Sequence, residues 1–110
     1  MCKSLGANNL SFSTKLQKKV AETLAGLAPG IPFADAEIVR QEAASRRYRE
    51  FPPSVSVWLV LTAHIRHQHT EYEALIREGY DHASARHFVI DAINAKLTEW
   101  RATRFIVDDD

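Results

Sequence analysis

Histidine is the side chain whose charge changes near neutral pH and the commonest nitrogen ligand for metals. All five histidines of this chain lie between His64 and His87, and three of them, His64, His67 and His69, stand within six residues. His64 and His67 are three apart, a spacing that places both on one face of a helix, where they could share an ion with His69, Glu73 or His82 as a third ligand. Against this stand the missing His-Glu-x-x-His of helical metalloproteases and the missing cysteines of a closed zinc site. The expectation is therefore that no metal and no cofactor is held, and that His64 and His67 bond to carboxylates or backbone and lock a kink at His69. The alternative is a metal site, or a metal-independent phosphodiester hydrolase, built on His64, His67 and His69. Arg77 and His82 also have a spacing found in helical ribonucleases, but nine arginines and five histidines make one such pair an expected coincidence. No catalytic residue is assigned, and the reading weighs against an enzyme.

The second chemistry is basic. Arg40, Arg46, Arg47 and Arg49 interleave with Tyr48 and Phe51, as contacts to phosphates and bases require, and Arg66 and Arg86 could join them in space. The competing reading is a solvated linker whose arginines pair with Glu37, Glu42 and Glu50. Lys plus Arg and Asp plus Glu are both 14, so the net charge is zero, which argues against a partner held by electrostatics alone. Removing Asp108, Asp109 and Asp110 leaves 14 basic against 11 acidic residues, so a basic patch on the body remains open.

These residues need a scaffold. A chain of 110 residues is one domain, long enough to bury a core without staples. The single cysteine, Cys2, allows no internal disulfide, and no signal-peptide pattern opens the chain, so a cytoplasmic location is expected. The longest apolar run, Val55 to Leu61, is far short of the roughly 20 residues that span a bilayer. No membrane partner is expected.

Residues 1–11 read as a mobile lead-in. Phe12, Leu16, Val20, Leu24 and Leu27 recur at helical spacing behind Ser13 as a cap, and Pro29-Gly30 ends that helix. Pro32 suits the start of a second helix, whose stripe is Ala36, Val39 and Ala43 and whose end falls near Ser45. The segment 46–53 reads as a polar, proline-ended loop. The stretch from Ser54 to Ile65 alternates like a strand yet also fits an inward helix through Val57, Trp58, Leu61 and Ile65. A lone strand would lack a partner, so helix is preferred. Thr70 and Glu73 have capping-box spacing, which predicts a break near His69. A short helix follows with Tyr72, Leu75 and Ile76 inward, and Gly79 ends it. Asp81 then caps a long C-terminal helix with Ala85, Val89, Ala92, Ile93, Leu97 and Trp100 on its inner side. The expected fold is all-α: about five helices in an irregular bundle over residues 12–104, with residues 105–110 as an acidic tail.

The run from Ala63 to Glu73, followed by Leu75, Gly79, Ala85-Arg86 and Trp100-Arg101, resembles domain-of-unknown-function family 2293, an uncharacterised helical domain of bacteria and fungi. The upstream residues Pro29, Pro32 and Ala36 fit its pattern as well, so the resemblance spans roughly Pro29 to Arg101. It implies no activity. Where many members have a Gly/Arg-rich linker, this chain has Arg46-Arg47-Tyr48-Arg49. The resemblance singles out His64, Arg66, His67, His69, Thr70, Tyr72 and Arg86. With Arg46, Arg47 and Arg49 these make the candidate site of a non-enzymatic binding module, whose partner is a nucleic acid or a protein.

Overall fold

The computed structural model describes the backbone of residues 2–107 and the side chains of residues 15–107. The first helix, expected to begin behind Ser13 after a mobile lead-in, begins at Cys2, so Ser13 stands inside it and does not cap it; the expected core role of Phe12 and the acidic tail at residues 108–110 lie outside the described parts. Among the described residues there are six α-helices, one 3-10 turn and no strand: α1 (Cys2–Leu27), α2 (Phe33–Ala43), the turn Arg46–Tyr48, α3 (Pro53–His69), α4 (Tyr72–Arg77), α5 (His82–Phe88) and α6 (Ile90–Glu99). The all-α expectation is met. None of these helices is long and apolar enough to cross a membrane.

Helix α3 is the centre, packing on α1, α2, α4 and α6. It starts where Pro53 occupies the first helical turn, a place where the missing N–H costs nothing. Its apolar content resolves as a helix: Val57, Leu61 and Ile65 are buried at intervals of four, while Val55 and Leu59, which strand alternation would have grouped with them, are exposed. The core closes around α3 with Val20, Leu24 and Ala28 of α1 and its end, Ala36, Val39 and Ala43 of α2, and Ile93, Leu97 and Trp100 at the C-terminal end.

Two expectations are corrected here. The long C-terminal helix is two helices, divided at Val89 (φ −103, ψ 7), which ends α5 and precedes α6. The Val89 N–H bonds the Arg86 carbonyl at 3.3 Å, a tight last turn, at a pair of residues, Phe88 and Val89, that lose rotamer freedom in a helix. Ala85, Val89, Ile93 and Leu97 still meet the core, because the interval of four survives the break; Ala92, expected with them, is exposed. The count of about five helices thus becomes six. Segment 46–53 also holds more order than a loop: a 3-10 turn with Tyr48 packed against the core.

The helix ends are built as their residues dictate. Gly79 has φ 107, and the Tyr80 N–H to Leu75 carbonyl and Gly79 N–H to Ile76 carbonyl bonds complete the paired C-terminal motif that needs a left-handed residue. The end of α6 repeats this arrangement with Ala102 bonded to Leu97 and Arg101 bonded to Thr98, except that Arg101 takes the left-handed position at φ 58. An arginine there bears a strain that glycine would not. Arg101→Gly should therefore raise stability by about 0.5 to 1 kcal/mol after the entropy of the unfolded glycine is deducted. A thermal midpoint lowered by this exchange would show that the arginine side chain contributes more than its backbone costs.

The chain end is tied to its beginning. Gly30 N–H bonds the Trp100 carbonyl at 2.8 Å, and Thr103 N–H bonds the Leu27 carbonyl at 2.9 Å. A Cβ on Gly30 would stand 3.0 Å from both the carbonyl carbon and oxygen of Trp100, so the contact depends on glycine. Asn94 then clamps Ile106 through both its N–H and its carbonyl, at 2.8 and 2.9 Å. These ties fix Trp100 against the end of α3, where the histidines are.

Candidate functional site

Two helices meet at Asp35. It stands in the first turn of α2, and His64 and His69 stand on the last turns of α3. A single oxygen, Asp35 Oδ1, accepts hydrogen bonds from His64 Nε2 at 2.7 Å and His69 Nε2 at 2.9 Å. The His64 side chain is 6% exposed, Asp35 18% and His69 27%. Burial pushes the Asp35 carboxyl up, but the two histidine hydrogen bonds and the charge of the imidazoles outweigh it, leaving its pKa below the ordinary carboxylate value. The His69 ring stands edge-on to Trp100 at 5.4 Å and to His64 at 5.6 Å.

His67 turns away from this group. Its Nδ1 meets Glu73 Oε2 at 2.9 Å on the exposed side, and its ring stands perpendicular to Tyr72 at 5.1 Å. His64 and His67, expected to be able to share an ion, thus have different carboxylate partners. It is His69, the last residue of α3, that joins His64. Thr70 produces the break: in an extended conformation (φ −136, ψ 177) it accepts from the Tyr72 N–H at 3.1 Å and donates to the Arg66 carbonyl. The expected capping box is not formed: Thr70 accepts from Tyr72, two residues on and not three, Glu71 is the cap residue of α4 without a side-chain bond, and the Glu73 carboxylate reaches for His67.

Tyr72 is the hub of the second half. It is buried, its hydroxyl meets His82 Nδ1 at 2.8 Å, and Arg66 stacks over its ring at 5.2 Å. His82 is thereby engaged with Tyr72. Arg66 Nε is buried and has no hydrogen-bond partner among the described residues. Desolvation by burial lowers the Arg66 pKa, the charge of Arg86 lowers it further, and Tyr72 opposes both. Among the described residues no carboxylate pairs with this guanidinium, the partner that would normally stabilise a buried charge.

Arg66 lies between two grooves. One, of about 550 Å³, is lined by Arg47, Tyr48, His64, Arg66, His67 and Glu73 among others. The second, of about 260 Å³, has Arg66, Arg86 and His87 over an apolar floor of Ile90, Ile93 and Ile106. Of the basic residues expected to share a face, Arg47, Arg66 and Arg86 are thus connected by the two grooves. Arg47 stacks on Tyr48 at 5.7 Å and approaches Glu42 at 3.8 Å, both partners exposed, a weak surface pair. Arg46 and Arg49 are exposed on the 3-10 turn and line neither groove.

Sequence reasoning missed Asp35. It lies 29 and 34 positions before its two histidines, and an acidic residue in the first turn of a helix is already accounted for by the helix dipole. Only the packing of α2 on α3 makes it part of the site.

Taken together, the structure is a small helical domain with a histidine–carboxylate group at one end of its central helix and an arginine-lined seam beside it. Residues 23–101, more than half of the chain, match the family model described as "Uncharacterized conserved protein (DUF2293)"; the chain belongs to this family. No curated protein and no solved structure matches it.

Proposed function

We propose that this domain is a non-enzymatic binding module for single-stranded nucleic acid, with Arg66 and Arg86 as its phosphate subsite. The observation that carries the reading is the convergence of these two guanidiniums at a groove that, among the described residues, is lined by no carboxylate, with Arg66 Nε buried and without a hydrogen-bond partner among those residues. A phosphodiester supplies what both cations lack, since its oxygens accept the paired N–H groups of a guanidinium. The neighbouring groove extends the track with Arg47 stacked on Tyr48, the alternation of cation and aromatic ring that holds a strand without reading its sequence. The carboxylates on that rim are engaged, Glu42 with Arg47 and Glu73 with His67. Within this reading the site is Arg47, Arg66 and Arg86, with His64, His67, His69, Thr70 and Tyr72 as its support. Arg46 and Arg49 add charge at the entrance. The expected compartment is the cytoplasm.

Fluorescence anisotropy with labelled oligo(dT) and oligo(U) tests this. Binding should weaken steeply as salt rises, because each phosphate contact releases counterions. Arg66→Gln with Arg86→Gln should reduce the slope of log affinity against log salt by about 1 to 2 units. Arg86 is exposed, so Arg86→Gln alone leaves the fold intact and should still lower affinity. If the wild-type protein binds neither oligonucleotide at low salt, or the double variant binds as well as the wild type, the groove serves a protein partner instead.

A further inference from the structure

We propose that Asp35 Oδ1, His64 Nε2 and His69 Nε2 form a binding site for one divalent transition-metal ion. The proposal is independent of nucleic-acid binding. All three atoms lie within 4.8 Å of one another, although they come from two helices and from positions 29 and 34 residues apart. Both imidazoles address the same carboxylate oxygen, at 2.7 and 2.9 Å, although a carboxylate has two. One carboxylate oxygen has two lone pairs and can accept both bonds; what points to an ion is that three ligand atoms of the right types, two imidazole nitrogens and one carboxylate oxygen, are gathered round one point.

The distances fit the chemistry. Bonds of about 2.0 to 2.2 Å to nitrogen and oxygen place neighbouring ligand atoms roughly 2.9 to 3.4 Å apart, for octahedral and tetrahedral angles respectively. The two contacts to Asp35 need only a slight opening by side-chain rotation, and the two Nε2 atoms lie within 4.8 Å of each other. Each histidine now donates an Nε2 proton to Asp35; on binding, the Nε2 lone pair faces the ion and the proton resides on Nδ1, so two neutral imidazoles and one carboxylate leave one positive charge on a bound dication. Two nitrogens and one oxygen without thiolate suit zinc, cobalt(II), nickel(II) or iron(II), and exclude a preference for copper(I). Three protein ligands leave at least one position to water or to a further ligand, as in an open rather than a closed site.

Packing supports one of the ligands. His69 is held by the Trp100 ring at 5.4 Å, and Trp100 in turn by the Gly30 N–H on its carbonyl. His67 is the internal control: it sits in the same window but faces Glu73.

The test uses untagged full-length protein carrying Cys2→Ser, to remove a competing thiol, stripped with chelator. Zinc is titrated by calorimetry, and cobalt(II) is followed by visible absorption and by quenching of Trp fluorescence. The expected result is one equivalent bound with a dissociation constant below about 10 µM, a cobalt spectrum of low coordination number, and a thermal midpoint raised by several degrees in excess zinc. His69→Ala should weaken binding at least 10-fold, as should Asp35→Asn, while His67→Ala should stay within about threefold of the parent. His69 is on the partly exposed side at the end of α3, so its variant keeps the fold, which circular dichroism verifies. Absence of one-to-one binding in the parent, unchanged affinity in His69→Ala, or an equal loss in His67→Ala would each overturn the assignment.

Discussion

Truncating Trp100 to alanine lowers the stability of this domain by about 3 to 5 kcal/mol, a large share of the roughly 5 to 15 kcal/mol that small domains possess. The indole is the largest fully buried side chain, 2% exposed, and it lies where three parts of the chain meet. It ends α6, its carbonyl receives the Gly30 N–H, and its ring faces His69. Alanine keeps the backbone bond but removes the ring, and helices α1 and α3 cannot collapse into the space while Gly30 and Thr103 hold the chain end in place. The thermal midpoint should drop by at least about 12 degrees, at about 4 degrees or more per kcal/mol for a domain of this size. Trp100→Phe should recover part of the loss, because an aromatic edge still meets His69. A midpoint within two degrees of the wild type would mean that the ring fills no core.

Much of this core was legible from spacing alone. Val20 and Leu24, Ala36, Val39 and Ala43, Val57, Leu61 and Ile65, and Ile93, Leu97 and Trp100 repeat at intervals of three and four, and all are buried. Periodicity reports which side of a helix faces inward and survives a local break. For that reason the same residues did not disclose that α5 and α6 are separate: the interval of four continues across Val89. Caps were legible where one side chain suffices, as Asp81 is with the Ser84 N–H at 2.7 Å. The Thr70–Glu73 capping box is not formed, because Glu73 has a second suitor in His67 that spacing does not reveal.

The site divides in the same way. The histidine window and Arg66 stand out by composition, and Tyr72 by its helical position. Asp35 does not, since its role arises from the packing of α2 on α3, and no local rule links an aspartate in one helix to the end of another. The preferred reading of His64 and His67, bonds to carboxylates or backbone, matches their contacts to Asp35 and Glu73, while the shared partner that their spacing also allowed is not formed. The helix instead turns His67 towards Glu73, and the Thr70 break brings His69 round to His64.

Asp35 makes the acid limb of stability the second large expectation. Its carboxyl is held below the usual range in the folded protein by the two histidines that oppose its burial. A carboxylate with a depressed folded pKa contributes stability that is present above its unfolded value, about 3.9, and that is lost as pH falls through the folded value. Asp35→Asn removes the charge but keeps an oxygen that can accept from one ring. At pH 6 to 7 the variant should therefore be less stable by about 1.5 to 3 kcal/mol, the range for hydrogen bonds to a charged group. Below about pH 4 the two proteins should converge, since the wild-type carboxyl is then progressively protonated. Urea unfolding followed by circular dichroism from pH 7 to pH 2.5, with metal chelated throughout, measures both limbs. A gap that persists unchanged to pH 2.5 would assign the effect to side-chain shape rather than to charge. No gap at neutral pH would mean that the bonds to His64 and His69 add nothing beyond what water offers the separated groups, and that α2 is held on α3 by Ala36, Val39 and Ala43 alone.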